Sequence, residues 1–174
     1  SNCRTGYDGC IVDHFRYAYD LGKIDFLGTS DHTDIGKIYH PYEWWHNQRM
    51  HDALHSPGEF NTVYVYEREQ RWPWGHRNIV FAQRDGPIVY IKRSFYLNSP
   101  WQKTLPVDPK GTAEISPYEL WDLLKQYGKP VAALSHTGAT GMGTDWKIYE
   151  KFDYSSENVV EIYQGARVSY EGAG

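Results

Sequence analysis

Four short apolar segments, each bordered by an acidic or imidazole side chain, are spaced along the chain. Runs of β-branched, aliphatic and aromatic residues of this length are typical of strands. The predicted strands and their polar ends are 24–32 with Asp31 and His32, 60–66 with Glu67, 76–81 with His76, and 130–136 with His136. Further strands are predicted at 87–92 and 158–163. Because the ends of neighbouring strands meet at one edge of a sheet, we expect the polar side chains to converge.

Helical segments separate these strands. Apolar positions recur at helical spacing at 11–21, and 42–55 follows a first-turn proline and contains neither glycine nor proline. A third helix is predicted from Ser116 to Gly128, where Ser116 is the N-cap and Glu119 is the capping-box acid. Helices that alternate with strands predict an α/β fold.

The composition fits one domain that acts on a small molecule. A length of 174 residues predicts a single domain over 1–174, with the proline-rich, aperiodic segment 94–114 as a surface loop insertion. With 18 Lys and Arg against 22 Asp and Glu, the chain offers no basic surface for nucleic acid. No apolar run reaches the length of a membrane span, so we expect a soluble protein. The sequence indicates neither the oligomeric state nor the compartment, cytoplasmic or exported.

The convergent side chains are of the types that bind divalent metals. We predict His32, Glu67, His76 and His136 as metal ligands, because imidazole and carboxylate groups bind zinc, manganese and iron, and a carboxylate can bridge two ions. Glu67, His76 and Asp31 are the predicted catalytic residues. Two neighbouring ions can hold the attacking and leaving oxygens of a phosphoryl or acyl displacement. The alternative is that each histidine is an ordinary hydrogen-bonded surface residue.

Two arginines are candidates for binding a substrate phosphate. Arg77 stands beside His76, and Arg4 lies in the opening loop. A guanidinium group can bind a phosphate through two parallel hydrogen bonds. The alternative for each is a solvated arginine.

The 7 Trp and 15 Tyr residues leave a different function open. Aromatic residues at this density either fill a core or line a binding cleft. In a carbohydrate-binding module the stacking surfaces would come from Trp44, Trp45, Trp72, Trp74 and Trp101. Such a module would not need the histidines.

Several motifs resemble one known superfamily. They are DFLGTSDH at 25–32, YE at 66–67, GHRNIVF at 75–81, LSH at 134–136 and VEIY at 160–163. Together they resemble the PHP superfamily, named for polymerase and histidinol phosphatase, and most of all its large, poorly characterised bacterial branch. The resemblance covers nearly the whole chain, and 94–114 matches least.

The resemblance implies a distorted (β/α)7 barrel with a trinuclear metal centre that hydrolyses phosphate esters. It implies that His32 is the ligand after the second strand, with Asp31 beside it near the metals. Glu67 would be the bridging carboxylate, and His76 and His136 would complete the shell of the second metal. We therefore predict a phosphoesterase that uses metal-activated water, two or three zinc, manganese or iron ions, and a small phosphorylated substrate. An amide or ester hydrolase stays open, because the same ions polarise carbonyls.

Two motifs of the superfamily are missing from the chain. The His-x-His pair of the first strand would fall before Ser1, and the Asp/His motif of the final strand would fall after Gly174. We therefore expect a fragment of a longer protein with an incomplete barrel, and a degenerate, non-catalytic relative is the alternative. In both cases the site around Glu67 is expected to be more complete than that around His32.

Overall fold

Strands and helices alternate along the part of the chain that the computed structural model describes, which is residues 10–33, 41–70, 72–88, 117–136, 138, 140, 142–151, 157 and 159–162. The helices are α1 (Ile11–Arg16), which continues as a π-helix over Tyr17–Gly22, α2 (Pro41–Leu54), α3 (Pro117–Tyr127) and a 3₁₀ helix at Trp146–Lys151. The strands are β1 (Phe26–Leu27), β2 (Asp31–His32), β3 (Asn61–Thr62), β4 (Tyr64–Arg68), β5 (Arg77–Phe81), β6 (Val131–Ser135) and β7 (Val159–Val160). The described residues thus contain a mixture of helices and strands, α/β in general.

Helices α1, α2 and α3 lie where the sequence predicts them, whereas the 3₁₀ helix at Trp146–Lys151 was not predicted. Gly128, just after α3, has a positive φ of 68°, which fits a glycine helix cap. The longest described helix, α2, has 14 residues, and none of the described helices is long and apolar enough to cross a membrane. The loop insertion predicted at 94–114 and most of the strand predicted at 87–92 lie outside the described residues.

The described strands form a two-stranded sheet, β1-β3, and a five-stranded sheet in the order β2-β4-β5-β6-β7. The β2-β4 and β6-β7 pairs are parallel, whereas β5 is antiparallel to both β4 and β6. Within the described ranges these strands do not close a barrel. The (β/α)7 barrel therefore stays a prediction.

The first predicted strand is present as two pieces, β1 and β2, which share one register. Phe26 pairs with Asn61 and His32 pairs with Glu67, at the same separation along the sequence. No residue is gained or lost where the strand is interrupted. Gly28 lies at the interruption, and a Cβ there would come within 2.5 Å of a valine methyl group of the neighbouring strand. Close packing of the two strands therefore requires glycine.

One face of the five-stranded sheet packs against helices α2 and α3, and we call it the helix face. Its hydrophobic cluster consists of Trp44, Tyr66, Ile79, Phe81, Leu120, Leu124 and Ala133. Side chains alternate between the two faces of a strand. Since Tyr66, Ile79 and Ala133 point to the helix face, Glu67, His76 and His136 point to the opposite face, which we call the inner face.

Candidate metal centre

Glu67 lies among three histidines on the inner face. Its Oε1 atom is 2.9 Å from Nδ1 of His76 and 3.0 Å from Nε2 of His136. Its Oε2 atom is 3.5 Å from Nε2 of His32. The two oxygens of one carboxylate therefore face different imidazole groups, which is the arrangement that a bridging carboxylate needs.

Strand pairing brings these four residues together. His76 immediately precedes β5 and His136 immediately follows β6, and the backbone N–H of His136 donates to the carbonyl oxygen of His76 at 3.3 Å. Glu67 is in β4, and His32 is its direct register partner in β2. The ladder of the sheet, rather than a flexible loop, thus determines the spacing of the cluster.

Glu67 is ionised although it is buried. Burial alone would raise the pKa of Glu67, but hydrogen bonds from His136 and His76 and the charge of His32 outweigh this effect and lower the pKa to about 2. The side chains of Glu67 and His136 are 11% and 7% exposed, whereas that of His32 is 41% exposed. Solvent therefore reaches the cluster at His32.

A second carboxylate, which the sequence analysis missed, extends the cluster. The Oε1 atom of Glu69 is in direct contact with Nδ1 of His32, and Glu69 is buried. Glu69 follows Glu67 by two positions, and the alternation along an extended chain places both carboxylates on the inner face. The second acid two positions after Glu67 was the sequence signal for it.

The described residues form two groups that could hold a metal ion, and both groups contain Glu67. One group is Glu67, His76 and His136, and the other is His32, Glu67 and Glu69. In each group the possible ligand atoms lie within 4.8 Å of one another. Imidazole and carboxylate donors fit zinc, manganese or iron. The residues present are thus compatible with two ions that share Glu67.

The chain matches no protein-family model, no curated protein and no solved structure. Membership of the PHP superfamily therefore stays a prediction from the motifs. The function has to be argued from Glu67 and the side chains around it.

Asp31 lies on the opposite side of the sheet from the cluster. The Nδ2 group of Asn47, in α2, donates to Oδ2 of Asp31 at 2.9 Å. Strand alternation requires this placement, because the adjacent His32 points to the inner face. The structure thus corrects the predicted catalytic role of Asp31, whose carboxylate connects β2 to α2.

Arg77 does not reach the inner face either. Its side chain is 0% exposed, and its Nε group donates to both carboxylate oxygens of Glu157, at 3.0 and 2.9 Å. Arg77 points to the helix face because the preceding His76 points to the inner face. The structure corrects the prediction that Arg77 binds a substrate phosphate. Arg4, the other predicted phosphate ligand, lies outside the described residues.

The tryptophans that the structure describes differ in their surroundings. Trp44 is buried in the hydrophobic cluster, and its indole N–H donates to the carbonyl oxygen of Gly86 at 3.0 Å. Trp74 packs edge-on against Tyr118. Trp45 and Trp72 are exposed, and Trp101 lies outside the described residues. Trp44 thus packs in the core, Trp74 packs against Tyr118, and the carbohydrate-binding module stays an alternative prediction.

Proposed function

We propose that this chain is a metal-dependent hydrolase whose substrates are phosphate esters. The observation that supports the proposal best is the position of Glu67, whose Oε1 contacts the buried His136 and the partly buried His76 and whose Oε2 faces His32. A buried carboxylate among three imidazoles, with a second carboxylate next to the third imidazole, is a typical donor set for two divalent ions. The preference for phosphate esters comes from the PHP-like motifs.

Each side chain has a separate part in this proposal. Glu67 is already ionised at neutral pH, so it can bind a cation without first losing a proton. His76 and His136 would hold one ion together with Glu67, and His32 and Glu69 would hold the other. Divalent ions held there would supply an activated water and neutralise charge on the phosphoryl oxygens. The substrate would enter on the exposed side of His32.

Metal content and hydrolysis, measured on the same samples, test the proposal. We expect the purified chain to bind zinc or manganese stoichiometrically and to hydrolyse an aryl phosphate until a chelator is added. Glu67→Ala should bind neither ion and should be inactive. His46→Ala is the matched control, because His46 is an exposed histidine of α2, and it should behave as the wild type.

Three results would contradict the proposal in different ways. Full metal content in Glu67→Ala would exclude Glu67 as the central ligand. Hydrolysis of acyl esters in preference to aryl phosphates would retain the metal centre but change the bond that is cleaved. A wild-type protein without metal after incubation with zinc and manganese would exclude the hydrolase.

A further inference from the structure

A buried ion pair lies directly behind the metal-binding histidines, on the helix face. The side chains of Arg77 and Glu157 are 0% and 1% exposed. Each oxygen of Glu157 accepts a hydrogen bond from Arg77 and one from a second side chain. Oε1 accepts from the hydroxyl group of Ser135, and Oε2 accepts from the indole N–H of Trp121 at 2.8 Å. Glu157 is therefore held from two sides.

The neighbours of this ion pair are the two histidines of the candidate site. Arg77 follows His76, Ser135 precedes His136, and Arg77 and Ser135 are direct register partners in β5 and β6. Glu157 therefore bonds to both strand ends that present a histidine to the inner face. Glu157 thus links the two strand ends on the helix face, and Glu67 contacts their two histidines on the inner face.

Arg77 also fixes the backbone that leads into His76. Its Nη1 group donates to the carbonyl oxygens of Trp74 and Gly75, the latter at 3.2 Å. The hydroxyl group of Thr144 donates to the same carbonyl of Trp74 at 3.1 Å and lies 3.2 Å from the hydroxyl group of Ser135. The turn before β5 and the end of β6 are thus parts of one buried network.

We propose that Arg77 and Glu157 are positioning residues, which hold His76 and His136 at the spacing where both contact the same oxygen of Glu67. The centroids of the two imidazole rings are 5.8 Å apart, and Oε1 of Glu67 lies 2.9 Å from Nδ1 of His76 and 3.0 Å from Nε2 of His136. A shift of either strand end by a fraction of an ångström would lengthen one of these bonds. Groups that orient metal ligands in this way typically change metal affinity by about 10- to 100-fold. The inference depends on the proposed metal centre, but it does not depend on whether the substrate is a phosphate ester or an acyl ester.

A matched pair of variants separates positioning from ordinary stabilisation. Ser135→Ala and Trp121→Phe each remove one hydrogen bond to Glu157, and each leaves the bond from Arg77 to the same carboxylate oxygen. Ser135 is in the strand that ends at His136, whereas Trp121 is in α3. Zinc affinity is measured by titration calorimetry, and urea unfolding shows that both variants are folded. The imidazole ¹H and ¹⁵N signals of His76 and His136 are recorded in the metal-free proteins.

We expect Ser135→Ala to bind zinc about tenfold more weakly than the wild type and to shift the signals of both histidines. Trp121→Phe should change the affinity and both signals less than Ser135→Ala does, because Trp121 bonds to Glu157 from α3 and not from a strand that ends at a histidine. Both variants should lower the stability. Equal effects of the two variants on the histidines, or no effect of either, would overturn the proposal. If the wild type binds no zinc, the proposed function fails, and the histidine signals of the metal-free variants still decide this inference.

Discussion

Replacing Glu67 by glutamine should remove a defined part of the pH dependence of the protein's stability in acid. Burial alone would raise the pKa of Glu67, but hydrogen bonds from His136 and His76 lower it from 4.5 to about 2. A carboxylate whose pKa is lower in the folded state stabilises the fold above its unfolded pKa. This stabilisation is lost as the pH falls toward the folded pKa. Glutamine does not titrate, so Glu67→Gln should lack this dependence.

The size of the effect follows from the two pKa values. The difference between 4.5 and about 2 corresponds to roughly 3 kcal/mol, at about 1.4 kcal/mol for each pKa unit. Between about pH 5 and pH 3.5, the wild type should lose roughly 1 kcal/mol of unfolding free energy relative to Glu67→Gln. Because only 11% of the Glu67 side chain is exposed, screening by solvent reduces this value little.

Urea unfolding, followed by tryptophan fluorescence in the presence of a chelator, measures this difference. Burial lowers the pKa of His51, and this histidine is present in both the wild type and Glu67→Gln, so its contribution cancels in the difference between the two profiles. Asp122→Asn is the control, since Asp122 is an exposed carboxylate in α3, and its profile should run parallel to that of the wild type. If the profile of Glu67→Gln also runs parallel to the wild type, the reasoning about Glu67 is refuted.

Three further predictions concern the ligands and the ion pair. Arg77→Met should lower the unfolding free energy by about 3 to 5 kcal/mol, because Glu157 would be left buried without its counter-ion; a raised KM with unchanged urea unfolding would instead indicate a substrate contact. Zinc at about 100 times its Kd should raise the unfolding free energy by about 2.7 kcal/mol, and an equal gain in His136→Ala would contradict the proposed ligand set. Glu69→Gln should weaken one of two zinc equivalents by at least about tenfold, whereas two unchanged equivalents in a zinc titration would exclude Glu69 from the site.

Most of the described helices and strands, and the clustering of Glu67 with His76 and His136, could be predicted from the sequence. The strands are recognisable because buried strands consist mainly of apolar residues. The helices are recognisable because proline in the first turn or glycine after the last turn marks their ends. Glu67, His76 and His136 were predicted because each lies at the end of such a strand, and backbone pairing then determines their spacing. The sequence predicts a single strand at 24–32, whereas the structure has two short strands there. Because β1 and β2 share one register, the alternation of side chains between the two faces continues across the interruption.

The corrections have one physical cause, which is the direction in which a side chain leaves its strand. Asp31 and Arg77 were assigned to the site because each is adjacent in sequence to a metal-ligand candidate. Adjacent residues of a strand point to opposite faces, so adjacency placed both on the helix face. Glu69 was missed for the same reason, since two positions, not one, separate residues that share a face. Glu157 had no sequence signal, because its partner Arg77 is far away along the chain.

Two carboxylates, one on each face of the sheet, contribute both to the stability of the fold and to the geometry of the candidate site. On the inner face, Glu67 contacts both His76 and His136. On the helix face, Glu157 accepts hydrogen bonds from Arg77 and Ser135, which are the sequence neighbours of these histidines. Both carboxylates thus act across the β5-β6 pair, one on each side. A metal ion bound at Glu67 would compete with its hydrogen bonds to the histidines, and this would weaken the inner connection. The helix-face ion pair does not depend on a metal, and it would keep the two strand ends in place if metal bonds replaced the hydrogen bonds of the inner face.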